Sequence, residues 1–397
     1  MSNQRNLILA IVLSLGLFLG WQYLMATLYP PEEVPVAQAA VTSQETVAAP
    51  ATEADVARNL ATELASPARV RIDAPALEGS INLVGARVDD IEFRRHRETI
   101  DRDSGPVQFM APLGTSKQHF ARFDWVGEGV AVPDAQTVWT SGGGSLTPST
   151  PVKLSWNNGQ GQLFELTFSI DENYMIEVEQ AVSNVGNGPI ALRPRALINR
   201  TSLSADPSNF NVHSGPLAAV DGAVDFDWDY DEVSEELAKQ RASGNTGPLQ
   251  MPGRPGWIGF TDIYWMSALI PQAGAATQAS FAEAGSDKYA AVLLYDSVTV
   301  QAGRKIARTT RLFAGAKESA VLNAYEAQGV EQFGLAIDWG WFRFIVKPME
   351  QFLLFLFSLV GNFGLAIIAL TVVVRLVMFP IANKQFASMA QMRAVQP

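Results

Sequence analysis

The sequence predicts a mainly β domain, a twisted sandwich of many short strands with C-terminal helices, flanked by two transmembrane α-helices. Three observations predict it. Long apolar runs with almost no charge lie near both ends of the 397 residues. An Ala- and Pro-rich stretch without sustained apolar period follows the first run. Between about residues 67 and 315, short alternating apolar and polar runs are separated by Gly, Pro, Asn and Asp. Hydrophobic residues make up 48% of the chain and charged residues only 17%, an average over greasy ends and a soluble middle.

The first run, Leu7 to Tyr29, is uncharged and long enough to cross about 30 Å of hydrocarbon. It exceeds the apolar region of a cleaved leader, and Gln22 and Tyr23 stand where a leader would need small residues. Residues 1–29 are therefore expected to be an uncleaved anchor, with Trp21, Tyr23 and Tyr29 as interface residues. Arg5 ahead of the run and acidic residues behind it place the N-terminus in the cytoplasm. Residues 30–66, rich in Ala, Pro, Val, Thr and Glu, bury too little apolar surface to offset the entropy of ordering them and are expected to be a disordered linker.

Residues 67–335 are expected to form the sandwich and its terminal helices. Alternation is clearest in the runs from Arg69, Gly79, Val152 and Tyr174, and the cluster Asn157 to Gly161 sits between two strand-like runs as a hairpin turn. Many strands with almost no helical period argue against a βαβ fold. Helical character returns from Lys317 to Phe333. In residues 336–360, Arg343, Lys347, Glu350 and Gln351 form a narrow polar stripe on one helical face, with aromatic and aliphatic residues on the rest. Such a helix beside a span is expected to lie in the membrane interface. Residues 361–397 begin with a second span, Gly361 to about Ile381, which leaves Lys384 and Arg393 in the cytoplasm, followed by the start of another helix.

The formal charge is −11 from 29 basic and 40 acidic residues. Residues 1–29 and 351–397 hold no carboxylate and four of the cations, so residues 30–350 carry −15. An acidic body of this kind repels nucleic acid, which is excluded as a partner. With no cysteine and three scattered histidines, disulfides and thiolate chemistry are excluded, and no metal site or cofactor is expected. Asp225, Asp227, Asp229 and Asp231 alternate with aromatic residues, but Tyr230 and Val233 break a calcium-loop reading, and a solvated acidic edge is preferred. No phosphate-loop, dinucleotide or hydrolase motif is present, so nothing in the sequence argues for an enzyme.

Arg375 is the most informative side chain. A guanidinium within a span costs about 2.5–3.5 kcal/mol, which marks a functional position unless the side chain snorkels to the nearby cytoplasmic surface. Its position leaves both readings open.

The anchor, the hairpin from Lys153, the segment GWIGFTDIYWMSALIP from Gly256, and AIDWGWFRFIVKP from Ala336 running into the final span together resemble the YidC family of bacterial membrane protein insertases (the wider Oxa/Alb/YidC group). The resemblance covers the chain in order. It implies a periplasmic β-sandwich similar to mutarotase-like, sugar-binding proteins, an interface helix, and the first helix of the insertase core, in a multi-pass protein of the bacterial inner membrane. It further implies that Arg375 is the positive charge of a hydrophilic groove, and that the partners are nascent membrane proteins, the Sec translocon and the bilayer. The family pattern continues beyond Pro397 with further spans, so the chain is expected to be truncated and not competent by itself. The alternatives are a periplasmic docking module that contacts Sec components or an extended ligand, and a tethered sugar-active sandwich, which the lack of a histidine constellation disfavours.

Overall fold

The computed structural model describes residues 60–66, 68–99, 101, 103–202, 212–285 and 287–395, with side chains as far as Gln385. By compactness the chain divides into 1–51 and 52–397, and all described residues belong to the second unit. The expected anchor at 1–29 and most of the 30–66 linker lie outside them.

The strands alternate between two antiparallel sheets. β1 (Arg69–Asp73), β2 (Leu77–Asn82), β3 (Arg87–Arg97), β4 (Pro106–Met110) and β5 (His119–Gly127) begin the first sheet. β6 (Thr140–Ser141), β7 (Val152–Asn157), β8 (Gln162–Ile170) and β9 (Met175–Asn184) begin the second, and β10 (Ile190–Thr201) returns to the first. β11 (Gly215–Val220) and β12 (Ala223–Asp225) extend the second sheet, and after a helix β13 (Leu249–Met251) edges the first. β14 (Pro255–Thr261) and β15 (Trp265–Ile270) join the second sheet, β16 (Thr277–Glu283), β17 (Lys288–Tyr295) and β18 (Val298–Val300) the first, and β19 (Arg304–Ala316) closes the second between β15 and β9.

Alternation explains the two layers. Along β8, Phe164, Leu166, Phe168 and Ile170 are buried while Leu163, Glu165 and Thr167 are only partly covered, as a period of two on a sheet with one face inward requires. The expected hairpin is present, with Asn157 opposite Leu163 and Val152 opposite Phe168. Its turn is built by Asn157 Oδ1 accepting from Gly159 N–H and Asn158 Oδ1 accepting from Gln160 and Gln162 N–H, with Gly159 and Gly161 at positive φ. Rings then join the layers: Phe123 of β5 meets Phe168 at 6.2 Å, Trp125 meets Phe164 at 5.1 Å, and Phe93 of β3 meets Trp265 of β15 at 5.0 Å.

A polar cluster interrupts this core at one end. Arg200 and Asp262, both buried, pair through two hydrogen bonds of 2.7 and 2.8 Å. Beside them His119 is buried between the layers, its Nδ1–H donating to Phe109 O at 3.0 Å and its Nε2 accepting from Ser267 Oγ at 2.9 Å. Burial first, and the Arg200 charge second, hold the imidazole neutral well below the usual histidine range, against the Phe109 hydrogen bond.

One helix departs from the sequence reading. The acidic run is not an alternating edge throughout: β12 ends at Asp225, and Asp229 caps α1 (Tyr230–Ala242) in a reciprocal box with Glu232. Asp225 accepts from Asp227 N–H and Trp228 Nε1–H, both at 2.9 Å. The helix buries only Val233 and Leu237, too thin an apolar stripe to announce itself, although the Asp-x-x-Glu cap, early acids and late Lys239 and Arg241 are a start-and-stop signature.

After β19 come α2 (Ser319–Ala327), a single 3₁₀ turn (Phe333–Ala336), α3 (Arg343–Val360) and α4 (Phe363–Val395). α3 starts later than residue 336 because Asp338 Oδ1 accepts from Gly340 N–H in a turn with Gly340 at φ 61°, a backbone state that a helix cannot propagate. α4 does not stop near Ile381; it continues through Pro380. A helix loses one hydrogen bond there, to the Leu376 carbonyl, which apolar spans tolerate.

Candidate functional site

The sandwich holds α2 tightly, and α2 in turn holds α3. Leu322 and Tyr325 of α2 are buried against β9 and β19. Tyr325 Oη donates to Asp171 at 2.6 Å and accepts from Tyr174 N–H at 3.1 Å. Tyr174 Oη donates to Glu318 at 2.6 Å, where His96 Nε2 also approaches at 3.3 Å. Burial, then the carboxylate that each hydroxyl serves, raises both phenols above their ordinary value. Room for Tyr174 comes from Gly315, where a Cβ would stand 2.3 Å from the ring. Phe313, Tyr325 and Phe333 complete the seat edge to face at 5.1–6.2 Å.

The polar stripe of α3 divides. Lys347 and Glu350 are half-buried: Lys347 Nζ donates to Asn323 Oδ1 at 3.3 Å, and Glu350 Oε1 accepts from Ser319 Oγ. Arg343 and Gln351 are exposed. Two of the four stripe residues thus face the sandwich's own helix, which the sequence could not show because Ser319 and Asn323 lie far away in the chain. The remaining surface of α3 is apolar and open, with Phe344 72% and Leu359 67% exposed. Gly361, left-handed at φ 69°, ends the helix by donating its N–H to Phe357 O. α3 then packs on α4.

Among the described residues, α4 alone is long and apolar enough to span a membrane, over Phe363–Gln385, about 35 Å at 1.5 Å per residue. Arg375 lies twelve residues below Phe363 and six above Ile381, roughly 18 and 9 Å along the axis. The side chain is exposed and makes no ion pair or hydrogen bond among the described residues. Its charge is therefore presented outward from the helix rather than absorbed by the sandwich or α3. Arg375 and the stripe residues are not brought together; they occupy different helices and serve different neighbours.

A large β-sandwich joined through a clamped amphipathic helix to a span that carries an outward-facing cation is the arrangement of a membrane-tethered protein. Known proteins agree. The YidC periplasmic domain family matches residues 69–352, and the 60Kd inner membrane protein family matches 355–397. Membrane protein insertase YidC of Bradyrhizobium diazoefficiens is 38% identical over 439 residues, covering 100% of this chain and 69% of that protein. Its counterpart in Nitrobacter hamburgensis is 40% identical over 428 residues, with 100% and 68% coverage. This chain belongs to the YidC family of membrane protein insertases, and it spans about two thirds of the length of these relatives. Among solved structures, YidC from Thermotoga maritima overlaps 83% of this chain and 74% of its own at TM-score 0.35 and 12% identity. A putative aldose 1-epimerase from Escherichia coli K12 overlaps 62% and 99% at TM-score 0.39 and 9% identity. Overlaps this distant give no residue-level correspondence.

Proposed function

We propose that the chain is part of an insertase that inserts and folds newly made inner-membrane proteins without enzymatic chemistry, independently or beside the Sec translocon, and that Arg375 is its working charge. The observation that carries this is the exposed guanidinium on an apolar helix, at a cost that no partner among the described residues offsets. A hydrated groove beside α4 would solvate it, and a polar or acidic segment in transit would pair with it, which lowers the barrier to moving hydrophilic flanks across hydrocarbon. In the same reading the N-terminus and Lys384 face the cytoplasm and the sandwich faces the periplasm, with α3 in the outer interface.

The test is client insertion in cells depleted of their own insertase and complemented with Arg375 variants of a full-length insertase gene, since the 397 residues alone are not expected to insert clients. Arg375→Ala should lower insertion of clients with acidic or polar translocated segments, while the variant itself still folds and inserts. Arg375→Lys, which keeps the charge but loses the planar fork, should retain much of the activity. Full activity of Arg375→Ala for every client, with no photo-crosslink from position 375 to a stalled client, would return Arg375 to simple snorkelling.

A further inference from the structure

The β14–β15 turn, Asp262 to Tyr264, lies at the end of the sandwich from which α3 departs. Tyr264 O accepts from Lys317 N–H at 2.8 Å, and Tyr264 shares a cavity of about 340 Å³ with Lys317, Ile337 and Asp338, five residues ahead of α3. On the other side of the turn, Tyr264 and Trp265 border a cavity of about 690 Å³ with Phe109, Arg97 and Lys117. Tyr264 is 65% exposed, and among the described residues it is the one exposed aromatic side chain before Trp341. Arg97, Lys117 and Lys317 make no ion pair among the described residues; Arg97 donates to Ser104 O, and half-buried Lys317 feels the charges of Asp262 and Asp338 without a direct contact. The nearby carboxylates are mostly engaged: Asp262 with Arg200, Glu318 with Tyr174 and His96, Asp338 with Gly340 N–H; Glu98 remains.

We propose that this hairpin tip is a second membrane contact, in which Tyr264 enters the headgroup region of the outer leaflet and Arg97, Lys117 and Lys317 take phospholipid phosphates. A single exposed tyrosine is ordinary on a protein surface. Its placement is what points to lipid: beside the root of the apolar helix, with Arg97 and Lys117 on one flank and Lys317 on the other, in a body that as a whole carries −15 and elsewhere repels anionic lipid. Tyrosine suits that depth because its ring is apolar and its hydroxyl stays wet. Two contacts, α3 and the tip, would fix the tilt of the sandwich, which α3 alone leaves free to rock. The inference rests on α3 lying in the interface.

The absence of cysteine allows single-cysteine labelling of the whole chain. Tyr264→Cys, Phe355→Cys on α3 and Val185→Cys would each carry an environment-sensitive fluorophore, in vesicles of phosphatidylcholine with or without phosphatidylglycerol and with a headgroup-labelled quencher lipid. Val185 is 74% exposed and follows β9 at the opposite end of β19 from the tip, about 40 Å away at 3.3 Å per residue. Quenching at 264 should be several-fold that at 185, should rise with phosphatidylglycerol, and should fall when Lys117→Glu and Lys317→Glu are combined. Circular dichroism checks that each variant is folded. Quenching at 355 with none at 264 overturns the tip contact and leaves the α3 reading standing; quenching at neither overturns both. Quenching at 264 that ignores phosphatidylglycerol and both charge reversals overturns the phosphate assignment.

Discussion

Acidification should loosen the sandwich through His119. In the folded protein the ring is buried, with both nitrogens committed, one to a carbonyl that only accepts and one to a hydroxyl that donates. Adding a proton removes the Nε2 lone pair that accepts from Ser267 Oγ and places a cation beside Arg200. The folded value therefore lies well below the unfolded value of about 6.5, so the unfolded chain binds more protons at low pH. The stability this group contributes is fully present above about pH 6.5 and is lost as pH falls toward the folded value. The loss sets in as pH falls through the unfolded value and grows by on the order of 1 kcal/mol per pH unit until the ring ionises in place. The measurement is urea unfolding of the detergent-solubilised chain, followed by fluorescence of buried Trp125 and Trp257. His119→Gln, which offers one donor and one acceptor and does not titrate, corrects for the carboxylates. The variant will be less stable at neutral pH, but the gap to wild type should narrow, by on the order of 1 kcal/mol, as pH falls from 7 to 5.5. Parallel pH profiles for the two proteins would refute the reasoning.

The clamp between α2 and α3 should appear as coupling. Ser319→Ala and Glu350→Ala remove the two ends of one charge-assisted hydrogen bond, and a double-mutant cycle read from hydrogen exchange of α2 amides should give about 1 kcal/mol, below the usual range for such bonds because the pair is half-exposed. Strict additivity would mean that the helices are not held by it. Residues 67–316, expressed alone, should show mainly β circular dichroism and a cooperative melt, since one core joins both sheets and no cysteine is needed. In the whole chain, which keeps α2, Gly315→Ala should cost about 2 kcal/mol or more, because the new methyl meets the Tyr174 ring from 2.3 Å and strand packing leaves little room to shift. An unchanged melting temperature would show that the seat of α2 is looser than its geometry implies.

What the sequence determined by itself is whatever depends on local period and length. Two-residue alternation in β7 and β8 named the strands, the Asn–Gly cluster named the turn, and an apolar run interrupted by Arg375 named the span and its unusual charge. These features need no knowledge of distant neighbours, because burial of one sheet face or of a whole helix writes itself into the chain at a fixed spacing. Tertiary structure decided what depends on partners. α1 escaped because two buried residues make too weak a period, and its cap acts only once Asp229 turns the chain. The stripe of α3 read as one polar face, yet Lys347 and Glu350 serve Asn323 and Ser319, while Arg343 and Gln351 do not. His119 and Tyr264 looked unremarkable in the chain; pairing β5 with β10 and β14 with β15 placed one in a dry polar cluster and the other at an exposed tip near the segment that leads into α3. Spacing records which way a side chain points, but only packing of segments far apart in sequence determines what it meets there.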